Sequence, residues 1–129
     1  MAHISTMQKL GLPAPRFSLP NFNTQVKEQT ISLETFEKYP ALLVAFICNH
    51  CPYVVHIRES FMSFINEYNQ KGLGVIAINS NEIEGYPEDS PQKMTEEAIK
   101  YSYTFPFLFD ESQSIAKAFR AACTPDFFL

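Results

Sequence analysis

Cysteine is scarce in this sequence, and long apolar runs are missing altogether. Three cysteines among 129 residues are too few, and odd in number, for the disulfide framework of a small secreted protein. We therefore expect thiols that are reactive, metal-binding or simply buried. No run of about 18 apolar residues is present to span a bilayer, and the N-terminus MAHISTMQKL lacks the apolar segment of a signal peptide. These absences predict a cytoplasmic protein.

Excess positive charge is missing too. The formal net charge is −4 and the isoelectric point is near 5.3, so we expect neither a nucleic acid nor an anionic membrane surface as a partner. A small molecule or another protein is the better expectation. The length, with 46% hydrophobic residues, suits one globular domain with a single core.

The apolar residues predict alternating strands and helices. The continuous runs ALLVAFI at 41–47 and LGVIAIN at 73–79 are typical of buried parallel strands. Between them, residues 52–69 carry apolar side chains at helical spacing, and a strand, helix and strand in this order form a right-handed βαβ unit. We expect the inner face of this helix to consist of Val54, Ile57, Phe61, Phe64, Ile65 and Tyr68.

The rest of the chain fits a single α/β domain over residues 1–129. Prolines within residues 1–31 favour an extended arm and a small hairpin. Residues 41–129 then form the core, with an additional helix and strand at about 91–110. Asp110 and Gln113 are placed to form a capping box for the helix that follows.

Two of the cysteines lie in the stretch AFICNHCPYVV, where a predicted strand ends and a predicted helix begins. Cys48 follows the strand, and Cys51 lies at the helix entry. A helix N-terminus stabilises a thiolate, and cysteines in such motifs can have a pKa lowered from about 8.5 to roughly 3.5 to 7.5. His50 can offer an N–H group or a positive charge to the Cys48 sulfur. We expect Cys48 to attack a disulfide, and Cys51, further inside the helix and less exposed, to resolve the mixed disulfide.

Together, the strand, CNHC, helix and strand order and the later Thr-Pro pair resemble the thioredoxin superfamily. The segments APRFSLPNF and ACTPDFF and the additional helix and strand are closer to its peroxiredoxin-like branch with a CxxC pair, similar to alkyl hydroperoxide reductase and thiol-specific antioxidant proteins. The resemblance implies a thioredoxin-like α/β fold, with a mostly parallel central sheet flanked by helices. It also implies that Pro125 is a cis-proline beside the active site, and that Thr124 offers backbone groups to a peptide or thiol substrate.

This sequence departs from the family patterns at three places. Thioredoxins usually carry a tryptophan before the first cysteine, whereas this chain has Ile47 there and no tryptophan. The peroxiredoxin pattern PxxxTxxC fails, because Cys48 stands three residues before Cys51 and Ala45 stands three before Cys48. The thioredoxin fold also continues beyond the cis-proline strand, but this chain stops at Leu129. We therefore expect a truncated chain or a partner that completes the sheet, with a homodimer as one outcome of an uncovered strand edge.

These residues predict a thiol–disulfide oxidoreductase without an organic cofactor, which exchanges electrons with a dithiol or disulfide protein or a small thiol. A thiol-dependent peroxidase with an antioxidant role is the second prediction. A metal carrier or sensor is the third, with Cys48, Cys51, His56 and Cys123 as conceivable ligands. An inactive fragment remains open as well. Cys123 is either a third redox thiol or a small buried residue, while His56 and Arg58 are expected to be solvated.

Overall fold

The computed structural model describes residues 8–81 and 85–129, which fold into two small sheets, three α-helices and two short 3-10 helices, at Leu33–Phe36 and Pro87–Asp89. No helix in these two ranges is both long enough and apolar enough to cross a membrane. The strands are β1 (Ser18–Pro20), β2 (Thr30–Ser32), β3 (Ala41–Phe46), β4 (Leu73–Asn79), β5 (Phe107–Phe109) and β6 (Asp126–Phe128), and the helices are α1 (Pro52–Asn69), α2 (Pro91–Lys100) and α3 (Ser114–Phe119).

The central sheet has the strand order β5-β4-β3-β6. Strands β3, β4 and β5 are parallel, and β6 runs antiparallel to β3. Apolar side chains of β3 and β4 are buried on both faces of the sheet, as their continuous apolar runs predict. The prediction of a mostly parallel sheet flanked by helices is confirmed. Separately, β1 and β2 pair as an antiparallel ribbon.

Helix α1 buries a narrower apolar face than its sequence predicts. Val54 and Ile65 are buried, but Phe64 and Tyr68 are 43% and 39% exposed. Arg58, which we expected to be solvated, is buried instead. Its guanidinium forms an ion pair with Glu97 of α2 and stacks 4.0 Å from the ring centre of Tyr101. The prediction for Arg58 is wrong because partners from α2 compensate the buried charge, which the periodicity of α1 alone does not reveal.

Asp110 stabilises the start of α3, but not through the predicted capping box. Gln113 adopts a left-handed conformation, with φ of 65°, and the helix begins only after it. The buried Asp110 carboxylate accepts hydrogen bonds from the N–H groups of Ile115 (3.1 Å) and Ala116 (2.9 Å) and from Ser80 Oγ (2.8 Å). One carboxylate therefore caps α3 and also ties the helix to the end of β4.

Asp110→Ala is expected to lower the free energy of unfolding by about 2–4 kcal/mol, because two helix N–H groups and a hydroxyl lose a charged acceptor in a buried place. Urea denaturation followed by circular dichroism measures the loss. Glu111→Ala is the matched control, since Glu111 is the exposed neighbour and its removal is expected to change stability by no more than about 0.5 kcal/mol. Equal losses in the two variants would contradict this account of α3.

Candidate active site

Cys48 and Cys51 lie on either side of a short loop at the carboxyl end of the sheet, and both are free thiols. Cys48 follows β3 almost directly, and Cys51 is the N-cap residue of α1, with Pro52 at the first helical position. Cys48 is 1% exposed and Cys51 is 8% exposed. The prediction that Cys51 is the less exposed thiol is therefore wrong. Cys48 lies just beyond a central strand that is covered on both faces, whereas Cys51 opens toward solvent at the start of the helix.

Thr124 contacts both thiols. Its Oγ1 lies 3.4 Å from Cys48 Sγ, and its carbonyl oxygen accepts a hydrogen bond of 3.2 Å from Cys51 Sγ. The peptide bond between Thr124 and Pro125 is cis, as the resemblance to thioredoxins implies. The fold thus brings together four residues that the sequence analysis singled out from two distant segments.

Asp89 is a residue that sequence analysis missed, and it organises the CNHC loop. Its carboxylate is fully buried. Oδ1 accepts hydrogen bonds from the backbone N–H groups of Asn49 (2.6 Å) and His50 (3.3 Å), while Oδ2 accepts from His50 Nδ1 and from Asn81 Nδ2 (3.0 Å). Strand β4 ends at the edge of the sheet at which Cys48 lies, and Asp89 follows ten residues after its last residue. The sequence order therefore indicated this edge of the sheet, but it did not indicate that the acid is buried.

His50 is held between Asp89 and an aromatic ring. The imidazole stacks on Tyr86, with ring centres 4.2 Å apart and planes inclined by 8°. A ring nitrogen of His50, Cys48 Sγ and a carboxylate oxygen of Asp89 lie within 4.8 Å of one another. His50 is therefore near Cys48, as expected from the sequence, but its ring hydrogen bonds to Asp89.

The two thiols differ in acidity. Burial raises the pKa of Cys48 to about 11, and the nearby charge of Asp89 adds to the increase. Burial also acts to raise the pKa of Cys51, but hydrogen bonds from the Thr124 side chain and from the backbone of Val54 and Tyr53 at the start of α1 outweigh it, so that this pKa is lowered. The acidifying effect expected of a helix N-terminus therefore acts on Cys51, which carries more thiolate than Cys48 at neutral pH.

A cavity of about 770 Å³ opens beside Cys51. Its lining includes Cys51 and Cys123 but not Cys48. Cys123 is partly exposed, its Sγ donates a hydrogen bond of 3.4 Å to Pro125 O, and burial with the charge of Asp126 raises its pKa. His56 is exposed on α1 and joins no cluster of close metal-ligating atoms in the described ranges. The metal ligand set considered from the sequence is therefore not assembled.

A CxxC pair at the carboxyl end of a central strand, at the start of a helix and against a cis-proline, defines a thioredoxin-like α/β protein. The AhpC/TSA family model matches residues 10–129, which is most of the chain. The chain therefore belongs to the AhpC/TSA family. No curated protein matches it.

Solved structures share this fold. A hypothetical protein from Sinorhizobium meliloti 1021 is 47% identical with a TM-score of 0.90, and the match covers 96% of this chain and 66% of that one. An uncharacterized conserved protein from Geobacillus kaustophilus is 45% identical with a TM-score of 0.92, and the match covers 99% of this chain and 66% of that one. The thioredoxin domain of a thiol-disulfide oxidoreductase from Bacteroides vulgatus shares the fold at 14% identity, with a TM-score of 0.72. This match covers 94% of this chain and 80% of that one. The chain thus spans just under two thirds of the first two relatives.

Proposed function

We propose that this protein is a thiol–disulfide oxidoreductase in which Cys48 and Cys51 form the redox pair. The observation that carries the proposal is the position of the two free thiols, both held against Thr124 at the start of α1, with one of them opening into a cavity. Membership of the AhpC/TSA family supports a redox activity. So does the shared fold with a protein named as a thiol-disulfide oxidoreductase.

In the proposed reaction Cys51 attacks first, which reverses the roles expected from the sequence. The Cys51 thiolate attacks one sulfur of a substrate disulfide and forms a mixed disulfide, and the other substrate sulfur leaves as a thiolate and takes up a proton. Cys48 then loses its proton and attacks Cys51 Sγ, which releases the second substrate thiol. The products are two substrate thiols and a Cys48–Cys51 disulfide, so two electrons have moved to the substrate.

Two neighbouring groups assist these steps in the proposal. The Cys48 thiol must lose a proton before it can attack, and the His50–Asp89 pair, which lies within 4.8 Å of it, is the proposed acceptor. Thr124 and Pro125 present backbone to the bound substrate beside Cys51. A dithiol protein or a small thiol restores the reduced pair. Cys123 lines the same cavity as Cys51, which keeps it a candidate third redox thiol.

Equilibration with a glutathione redox buffer tests the proposal. We expect a reversible mass loss of two hydrogens, assigned by peptide mapping to Cys48 and Cys51, and catalytic reduction of hydroxyethyl disulfide with dithiothreitol as donor. Cys123→Ser is the matched control, because the couple between the other two thiols is expected to persist. Failure to form an intramolecular disulfide at any ratio of oxidised to reduced glutathione would overturn the proposal.

A thiol-dependent peroxidase is the second candidate, and one contact favours it. The peroxiredoxin pattern places a threonine hydroxyl near the attacking thiol, and here Thr124, from a different segment, supplies a hydroxyl 3.4 Å from Cys48 Sγ. In this candidate Cys48, rather than Cys51, is therefore the attacking thiol. A thiolate would attack hydrogen peroxide to give a sulfenic acid and hydroxide, and the second thiol would then form the disulfide and release water. Saturable peroxide consumption driven by dithiothreitol supports this candidate, whereas a rate no greater than that of free thiols excludes it.

A further inference from the structure

One cluster in the site combines three kinds of metal ligand. Cys48 Sγ, a ring nitrogen of His50 and a carboxylate oxygen of Asp89 lie within 4.8 Å of one another, and no other such group occurs among the described residues. Cys48 and His50 come from the CNHC loop after β3, and Asp89 comes from the turn before α2. The tertiary fold, rather than a local sequence motif, therefore brings them together.

The cluster is buried and its ligands are oriented. Cys48 and Asp89 are 1% and 0% exposed, while the side chain of His50 is 28% exposed and lines the open cavity, which gives an ion a route of entry. Asp89 is fixed by the backbone N–H of Asn49, and the ring of His50 is fixed by its stacking on Tyr86. At metal sites, partners of this kind hold the coordinating side chains in place and commonly contribute 10- to 100-fold in metal affinity.

We propose that the reduced protein binds one zinc ion through Cys48 Sγ, a His50 ring nitrogen and an Asp89 carboxylate oxygen. Zinc accepts sulfur, nitrogen and oxygen ligands together at about 2.0–2.3 Å, whereas calcium and magnesium select oxygen. Binding displaces the Cys48 thiol proton and the hydrogen bond that His50 Nδ1 donates to Asp89. Ligands in a zinc tetrahedron lie about 3.5 Å apart, so rotation of the Cys48 and His50 side chains closes the remaining gap. Cys51 or water completes the tetrahedron.

Zinc binding and disulfide formation then exclude each other. A Cys48 sulfur bound to zinc is a thiolate whose electron pair is shared with the metal, and a Cys48 sulfur in a disulfide has no negative charge to offer. Oxidation of the pair therefore releases zinc, and zinc protects Cys48 from oxidation. This mutual exclusion rests on the proposed Cys48–Cys51 redox pair, whereas zinc binding by the reduced protein can be tested without it.

Isothermal titration calorimetry with zinc chloride, performed on reduced and on oxidised protein, tests the proposal. We expect one ion per reduced chain and at least about a hundredfold weaker binding after oxidation. Cobalt chloride provides a second readout, because thiolate ligation gives a near-ultraviolet charge-transfer band that is lost in Cys48→Ser. Binding of equal strength to the oxidised protein would overturn the site.

Variants separate this site from a simple dithiol chelate. His50→Gln and Asp89→Asn are each expected to weaken zinc binding at least about tenfold, judged on protein whose circular dichroism matches the wild type. The controls are Glu88→Gln, which neutralises an exposed acid next to Asp89, and Cys123→Ser; both should bind as the wild type does. If the His50 variant, whose side chain is partly exposed and tolerant of change, binds zinc as tightly as the wild type, the ligand set is wrong.

Discussion

Cys51→Ser is expected to lower the rate of disulfide reduction by about three orders of magnitude or more, because the proposed attacking thiolate is removed. Cys48→Ser is expected to stop turnover as well, but at a later step. It leaves Cys51 able to attack, and the mixed disulfide then accumulates because no second thiol resolves it. The two variants thus distinguish the two roles, which exposure and acidity assign in the opposite order to the one predicted from the sequence.

Mass spectrometry after reaction with hydroxyethyl disulfide measures the outcome. A stable adduct on Cys51 in the Cys48→Ser protein, and none on Cys48 in the Cys51→Ser protein, is the expected result. Both variants also carry Cys123→Ser, so that the third thiol cannot take the place of the cysteine that is removed. An adduct that forms rapidly on Cys48 instead would restore the original order of roles.

Alkylation with iodoacetamide checks the same assignment without a substrate. The pKa of Cys51 lies below the ordinary cysteine value of 9.0, and that of Cys48 lies near 11. As the pH rises, Cys51 therefore loses its proton first, and Cys48 becomes a thiolate only in strongly basic solution. In the presence of a chelator, we expect Cys51 to be labelled well before Cys48 between pH 7 and pH 8.

Asp89→Ala is expected to produce the largest loss of stability, about 3–5 kcal/mol in the free energy of unfolding. The substitution leaves two backbone N–H groups of the CNHC loop, the His50 ring and the Asn81 amide without their buried acceptor. The expected loss is large because these donors converge on a carboxylate that is completely buried.

Urea denaturation measures this effect. The exposed neighbour Glu88 provides the control, since Glu88→Ala keeps the same local chain and is expected to change stability by about 0.5 kcal/mol or less. Asp89→Asn should fall between the two, because an amide retains one acceptor oxygen but places donors where donors already converge. A stability of Asp89→Ala equal to that of the Glu88 variant would mean that the CNHC loop holds its shape without the carboxylate.

The scaffold of the site was largely predictable from sequence. The runs that form β3 and β4 are continuously apolar, and α1 has helical periodicity between a proline at its start and Gly72 after its end, so local patterns alone place Cys48 and Cys51 at a strand-to-helix junction. Local patterns did not predict that these thiols lie beside Thr124 and Pro125. That expectation followed from the resemblance to thioredoxins.

The features that sequence analysis missed depend on partners distant in the chain. Asp89 lies in a loop rich in polar residues, where an acid is normally solvated, and only the fold places it beneath the CNHC loop. Arg58 is similar, because its burial depends on Glu97 in another helix. The order of exposure of the two thiols was mispredicted for a related reason. Position along a helix gives no information on what covers the end of the preceding strand.

The contacts that shape the site join segments made at very different times during synthesis. Cys48 and Thr124 are 76 residues apart, so a ribosome adding about 5 to 20 residues per second needs about 4 to 15 s to pass from one to the other. During this interval the first two thiols have neither Thr124 nor, at the start, Asp89 beside them. Cys123 has not yet been made. During this interval, Cys48 and Cys51 are the only two of this sequence's three cysteines that can pair with each other.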